Sequence, residues 1–185
     1  TNRVVAAPVV WSRRLLAGPE GGQPGRARAV VLNSGSANAC TGAEGFGYCK
    51  DTADAAAKAL NISADGVLIG STGVIGKQIP IDKLTAGIKV LAGKKNDTLE
   101  NGTEAAKAIM TTDTFPKELA VTIEVGGKTV TIGGMAKGSG MIHPNMCTML
   151  AFITTDAVIT KDALQKAFGF DDSGLSGDLL SADSL

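Results

Sequence analysis

The chain has 185 residues, enough for one domain with a sizeable core or for part of a larger one, and its 18 basic and 18 acidic residues give zero formal net charge. That balance favours neither nucleic acid nor an acidic membrane surface as a partner, and no apolar run reaches the roughly 18 residues that cross a bilayer, so small molecules or other subunits are expected partners. Three cysteines without a CxxC pair, and a single histidine, His143, disfavour a metal site and predict a reducing compartment, the cytoplasm.

The first half of the chain alternates short apolar strands with helices. Ala29–Asn33 is an apolar run that ends in a Ser-Gly-Ser turn, and residues 51–60 form an alanine-rich segment bounded by Asn61, typical of a helix. Residues 67–70 predict a second buried strand, and the polar turn Ser71-Thr72-Gly73 follows it directly.

The next part of the chain predicts two helices and a hairpin. A helix over residues 81–91 follows a proline, and another covers about residues 98–110. Residues 119–124 and 128–132 alternate as strands do, and they flank Val125-Gly126-Gly127, a clear hairpin signal.

A glycine-rich loop then leads into a short apolar run. The loop, residues 137–147, delivers Thr148 to the head of residues 149–153, a run that predicts a buried strand. A capped helix over about residues 161–168 follows. Strands and helices in one domain predict the α/β or α+β class.

A threonine at the point where a loop meets a strand is a candidate nucleophile, although it can also simply begin a β-strand. Its hydroxyl needs a base, and the α-amino group of Thr148, with an unperturbed pKa of about 7.7 to 8.0, can serve if the chain is cut before it. The hydroxyl would attack the carbonyl of Cys147 to give an ester, which water then hydrolyses. The residues alone leave both interpretations open.

Five polar or glycine-rich segments are spread along the chain. They are LNSGSANACTG at 32–42, GSTGVIG at 70–76, IMTTDT at 109–114, GGMAKGSGM at 133–141 and TML at 148–150. In this order they resemble the ornithine acetyltransferase family of arginine biosynthesis, over about residues 1–167. The resemblance implies sheets layered with helices, as in the ornithine acetyltransferase and aminopeptidase type of fold.

The resemblance also implies an activity. Such proteins are precursors that cleave themselves, here between Cys147 and Thr148, and Thr148 then carries an acetyl group from N-acetylornithine to glutamate. Acetyl-coenzyme A (acetyl-CoA) is a candidate second donor, no cofactor is bound permanently, and the complete protein is expected to be a heterotetramer of cleaved halves. Cys147 departs from the alanine that the family commonly has there. The alternatives are a self-processing aminopeptidase-like hydrolase and an inactive fragment that only binds another chain.

The resemblance assigns four further residues to the site. The Thr72 hydroxyl and the Gly73 N–H match the oxyanion hole, while Thr111 and Lys137 match substrate contacts, as does Thr148 itself. Taken alone, a Ser-Thr-Gly turn is usually an ordinary loop and a lysine is usually a solvated charge. Glycine, however, lets a ligand approach the backbone, and the small neighbours of Lys137 let its ammonium group meet a carboxylate. For Asp113 the sequence predicts only a turn after a helix, and for His143 no role in catalysis.

Both ends depart from this pattern. Residues 1–8 resemble the interior of the family's sequence, so a missing N-terminal piece is expected. Residues 168–185 are rich in Ser, Gly and Asp and predict an atypical tail that is a loop or disordered. The predicted organisation is therefore an incomplete acetyltransferase-like region at 1–167, followed by that tail.

Overall fold

The computed structural model describes residues 4–18, 26–138 and 150–167. The helices are α1 (Ala7–Ala17), α2 (Gly42–Leu60), α3 (Ile81–Lys94), α4 (Leu99–Ala108) and α5 (Lys161–Ala167). The strands are β1 (Ala29–Asn33), β2 (Val67–Ser71), β3 (Lys117–Val125), β4 (Lys128–Lys137) and β5 (Leu150–Thr155). The predicted mixture of strands and helices is confirmed. The chain divides into two compact units, Asn2–Glu104 and Ala105–Leu185.

The first unit is built on a parallel pair of strands. β1 and β2 pair from Ala29 opposite Val67 to Asn33 opposite Ser71. Small residues on α2 and apolar residues of β2 and α3 form the core. Its buried members are Cys49, Ala53, Ala56, Ala57, Val67, Ile69 and Ile88. The alanines let α2 lie close to the sheet, where strands and helix bury each other's apolar faces.

Helix α1 was not predicted from the sequence. It covers the edge of β2 that pairs with no described strand, where Trp11 Nε1 donates to the carbonyl oxygen of Val67 at 3.0 Å. The Ser12 hydroxyl donates to Ile69 O at 3.3 Å and accepts from Ile69 N–H at 3.2 Å. These side chains satisfy the backbone groups that an edge strand leaves unpaired.

Helix α2 begins earlier than the alanine-rich segment predicted. It starts at Gly42, nine positions before residue 51, and ends as predicted at Asn61, which adopts a left-handed φ of 54°. The first turns of α2 contain glycines, which lower helix propensity. For this reason the start of the helix was not predicted from the sequence. Gly45 is buried there, and a Cβ at this position would overlap the side chains of Thr41 and Asn38, so only glycine fits.

The second unit contains an antiparallel sheet in the order β3-β4-β5. The predicted hairpin is confirmed, and Gly126 and Gly127 join β3 to β4 with φ values of 59° and 74°, as a two-residue turn of the primed type requires. β5 pairs with β4 and places Leu150 opposite Lys137. No helix in the described ranges is both long and apolar enough to cross a membrane.

Candidate active site

The turn that carries Thr72 and Gly73 lies beside the loop after β1. Because β1 and β2 are parallel, their carboxyl ends share one edge of the sheet, and the two loops that leave it run side by side. Thr72 N–H donates to Asn33 O at 3.0 Å, Val74 N–H donates to Gly35 O at 3.1 Å, and Gly76 N–H donates to Ala39 O at 2.8 Å. These bonds join the second loop to the first along its length.

Two polar side chains strengthen this pairing of loops. The Asn33 carboxamide accepts from the Ser71 hydroxyl at 2.6 Å and donates to the carbonyl oxygen of Ser36 at 3.0 Å. The Ser36 hydroxyl donates to Lys77 O at 3.0 Å, and Ser36 is 5% exposed. Asn33 therefore links the end of β2 to the loop that begins with Ser34.

Asn38 holds the far end of the first loop. It is fully buried, and its carboxamide donates to Gly45 O at 2.9 Å and to Cys49 Sγ at 3.4 Å, while accepting from the Thr41 hydroxyl at 2.7 Å. Burial raises the pKa of the Cys49 thiol to about 12, although the hydrogen bond from Asn38 acts in the opposite direction. Asn38 therefore connects the loop after β1 to α2 through hydrogen bonds.

Gly73 occupies a position that only glycine fits. Its φ is 128°, and a Cβ would overlap the carbonyl group of Gly35. Gly73 is exposed, and no described residue accepts a hydrogen bond from its N–H. The neighbouring Thr72 is 8% exposed and its own N–H is bonded to Asn33. The turn therefore presents the Gly73 N–H directly after an almost completely buried threonine, and an exposed backbone N–H of this kind can stabilise an oxyanion.

A cavity of about 510 Å³ lies beside the loop that follows β1. Its lining comes from both loops and from the start of α3. The lining residues are Asn33, Ser34, Gly35, Ser36, Lys77, Gln78, Ile79, Pro80, Lys83 and Leu84. Gly35, which packs against Gly73, also borders the cavity, although neither Thr72 nor Gly73 lines it. The cavity is large enough for a small molecule.

In the second unit, the Asp113 carboxylate links Thr111 to Gly138, the residue that directly follows Lys137. The Asp113 carboxylate accepts from Gly138 N–H at 2.7 Å, from Lys117 Nζ at 2.7 Å and from Thr111 N–H at 3.4 Å. Lys137, which directly precedes Gly138, is 3% exposed. A lysine at the surface was the ordinary expectation, and its burial is a departure from that expectation.

The electrostatics of Asp113 follow from these contacts. Burial of the carboxyl would raise its pKa, but the hydrogen bond from Lys117, the two backbone N–H bonds and the Lys117 charge outweigh it and lower the pKa to about 2. Asp113 does lie in the predicted turn after a helix. Its buried carboxylate could not be predicted from the sequence, because its partner Gly138 is 25 positions away.

The loop with the candidate nucleophile lies outside the described residues, and with it Thr148, Cys147 and His143. The predicted cleavage before Thr148 and its role as nucleophile stay predictions. The tail at 168–185 is also outside them.

Comparisons with known proteins agree with one another. The sequence profile of the ArgJ family matches residues 1–171. The arginine biosynthesis bifunctional protein ArgJ of Symbiobacterium thermophilum is 52% identical over 167 residues, which cover 90% of this chain and 40% of that protein. The chloroplastic ArgJ protein of Oryza sativa subsp. japonica is 49% identical over 162 residues, or 88% of this chain and 34% of that protein. This chain spans 40% or less of these relatives' length.

Two solved structures share the fold. The ArgJ protein of Bacillus halodurans superposes with a TM-score of 0.67 at 41% identity, over 79% of this chain and 73% of that one. The ornithine acetyltransferase of Mycobacterium tuberculosis, solved in complex with ornithine, gives a TM-score of 0.65 at 43% identity, over 78% of this chain and 72% of that one.

Proposed function

The chain belongs to the ArgJ family, and from that membership we propose that it supplies the nucleophile, oxyanion donors and amino-acid contacts of an acetyltransferase in arginine biosynthesis. The reaction moves an acetyl group from N-acetylornithine to glutamate. The structural observation that supports the proposal is the turn after β2. The N–H of Gly73 is exposed there, and no described residue accepts a hydrogen bond from it. The family resemblance assigns this N–H and the adjacent Thr72 hydroxyl to the oxyanion hole.

The first half-reaction forms an ester on Thr148. Cleavage before Thr148 frees its α-amino group, which takes the hydroxyl proton as the oxygen attacks the acetyl carbonyl carbon. The developing oxyanion accepts from the Thr72 hydroxyl and Gly73 N–H. The amide C–N bond then breaks, the proton passes to the leaving nitrogen, and ornithine departs as a free amine.

The second half-reaction transfers the acetyl group to glutamate and regenerates the free enzyme. The α-amino group of glutamate attacks the ester carbonyl and loses a proton to the α-amino group of Thr148, while the same donors stabilise the second tetrahedral intermediate. The C–O bond to Thr148 then breaks as its oxygen takes that proton. Lys137 supplies a positive charge, and Thr111 a hydrogen bond, to the amino-acid substrate. Acetyl-CoA as a second donor of the same acetyl group, and a cytoplasmic site of reaction, remain part of the proposal.

We extend the proposal to a heterotetramer of cleaved halves in the complete protein. Alternate residues of β3 present exposed apolar side chains, and Leu119 among them is 72% exposed; the others are Val121, Ile123 and Val125. This exposed apolar row supports burial against further polypeptide.

The decisive experiment tests the acetyl-enzyme directly. The complete protein containing this chain is incubated with N-acetylornithine without an acceptor, and peptide mass spectrometry looks for an acetyl group on an N-terminal Thr148. Thr148→Ala should abolish both the processing and the acetylation. Two fragments from the alanine variant, with no protease present, would contradict the role of the hydroxyl. Hydrolysis of N-terminal peptide bonds without acetyl transfer would indicate the aminopeptidase-like alternative, and an intact, unmodified chain an inactive fragment.

A further inference from the structure

Asp113 is an acidic residue whose side chain is almost completely withdrawn from solvent, at 1% exposure. Its carboxylate accepts three hydrogen bonds, two of which come from backbone N–H groups. Burying a carboxylate costs free energy unless it is paired and hydrogen-bonded. The folded state therefore keeps all three donors within hydrogen-bond distance of the Asp113 carboxylate.

The two backbone partners belong to distant parts of the chain. Thr111 lies in the turn after α4, whereas Gly138 follows the last residue of β4, Lys137. One oxygen of the carboxylate accepts from Gly138 and the other from Thr111. Asp113 is thus the bridge between the segment with the Thr111 hydroxyl and the strand end with the Lys137 side chain.

The third partner contributes less to this bridge. The Lys117 side chain is 40% exposed, and its Nζ lies over the Phe115 ring at 4.7 Å from the centroid as well as on Asp113. Ion pairs with a solvated member add little net stability because water competes for the charge. The two backbone N–H groups cannot rotate away from the carboxylate as the flexible Lys117 side chain can. Their hydrogen bonds therefore fix the position of Asp113 relative to Thr111 and Gly138.

We propose that Asp113 is a positioning residue, whose carboxylate holds Thr111 and Lys137 together as one binding site for the amino acid that accepts the acetyl group. This inference rests on the function proposed above, and it assigns Asp113 no contact with substrate. Gly138 directly follows the last residue of β4, so the same bond also fixes the end of that strand.

The test compares two variants that both remove the Asp113–Lys117 ion pair. Asp113→Asn keeps the size but replaces one accepting oxygen by an NH2 donor, which must face either the Gly138 or the Thr111 N–H. Lys117→Met leaves both backbone bonds intact. In the processed enzyme, Asp113→Asn should raise the KM for glutamate by about 10- to 100-fold and change the rate of acetyl-enzyme formation less. Lys117→Met should change either quantity by no more than about threefold.

Amide hydrogen exchange provides a readout that needs no activity. In the unsubstituted chain and in Lys117→Met, the Gly138 amide should be protected, and Asp113→Asn should lose protection at Gly138, Thr111 or both. Rapid exchange of Gly138 in the unsubstituted chain would overturn the proposal even if the Asn variant failed to fold. Equal rises in KM in the two variants would overturn it as well, because the ion pair would then be what matters. An unsubstituted enzyme that transfers no acetyl group would refute the proposed function, while the exchange data would still decide whether Asp113 holds the two segments.

Discussion

The backbone of Gly73 packs directly against the backbone of Gly35, without space for a side chain between them. Gly73→Ala should therefore destabilise the fold for two reasons. The φ of 128° is one that alanine rarely adopts, at a cost of about 1–3 kcal/mol, and the overlap with Gly35 adds about 1–3 kcal/mol. Urea unfolding of the variant and the unsubstituted chain measures the sum.

Gly76→Ala is the matched control for this prediction. Gly76 also has a positive φ, 79°, but a Cβ there would meet nothing within 4 Å. Its substitution should cost only the conformational part, about 1–2 kcal/mol. Similar losses in the two variants would mean that contact with Gly35 does not constrain Gly73.

The sequence predicted the regular elements better than the interactions that hold the site. The predictions of β1 and of the hairpin turn were correct because an apolar run and a Gly-Gly pair are signals that can be read from neighbouring residues alone. The start of α2 was not predicted because glycine lowers helix propensity. Gly45 is nevertheless required there, since a Cβ would overlap Thr41 and Asn38, and this packing requirement cannot be read from helix propensities.

The candidate site shows the same division. Thr72, Gly73 and Lys137 could be named from motifs, but the residues that position them could not. Asn33 bonds to the Ser71 hydroxyl, 38 positions away, and Asp113 to the Gly138 backbone, 25 positions away. Asn38 bonds to the backbone of Gly45, seven positions further along the chain. Short polar side chains grouped around a strand end were the only available hint, since Asn, Asp and Ser commonly bond to loop backbone.

The Thr72 hydroxyl is expected to act mainly in the transition state. In the processed enzyme, Thr72→Ala should lower kcat by about 100- to 1,000-fold with a much smaller change in KM. The Thr72 N–H bond to Asn33 O belongs to the backbone and can form in the variant as well, so the loss reports on the hydroxyl. Thr72→Ser restores a hydroxyl and should recover most of the turnover. A serine variant as slow as the alanine variant, or an alanine variant as fast as the unsubstituted enzyme, would remove the hydroxyl from the mechanism.

Lys137 is expected to bind the substrate carboxylate through its charge. Lys137→Met keeps the length of the side chain without the ammonium group, and it should weaken glutamate binding by a factor of about 10 to 150, the equivalent of one charge-assisted hydrogen bond. The measurement is the dependence of deacetylation of the acetyl-enzyme on glutamate concentration. Lys128→Met removes a charge from the exposed start of the same strand and should leave that dependence unchanged. If Lys137→Met accepts glutamate as well as the unsubstituted enzyme does, the amino acid binds elsewhere.

The depressed pKa of Asp113, about 2, predicts how stability depends on pH. A carboxyl in the unfolded chain has a pKa of about 3.9, so the folded state binds the proton more weakly than the unfolded state does. Ionised Asp113 therefore stabilises the fold fully above about pH 4, and this contribution is lost as the pH falls from about 4 to about 2. The difference in pKa corresponds to about 2 kcal/mol.

Urea unfolding between pH 7 and pH 2 measures this contribution when Asp113→Asn is compared with the unsubstituted chain. The asparagine variant should be less stable at pH 7, and the gap between the two proteins should narrow by about 2 kcal/mol as the pH falls from 4 to 2. Other carboxyl groups titrate in both proteins, so their contributions cancel in the difference. Asp54→Asn is the control, because Asp54 is 50% exposed in its pair with Lys50 and such surface pairs contribute little; its gap should stay small at every pH. A constant gap between Asp113→Asn and the unsubstituted chain would show that the Asp113 carboxyl does not lose its charge in this range, or that its charge does not stabilise the fold.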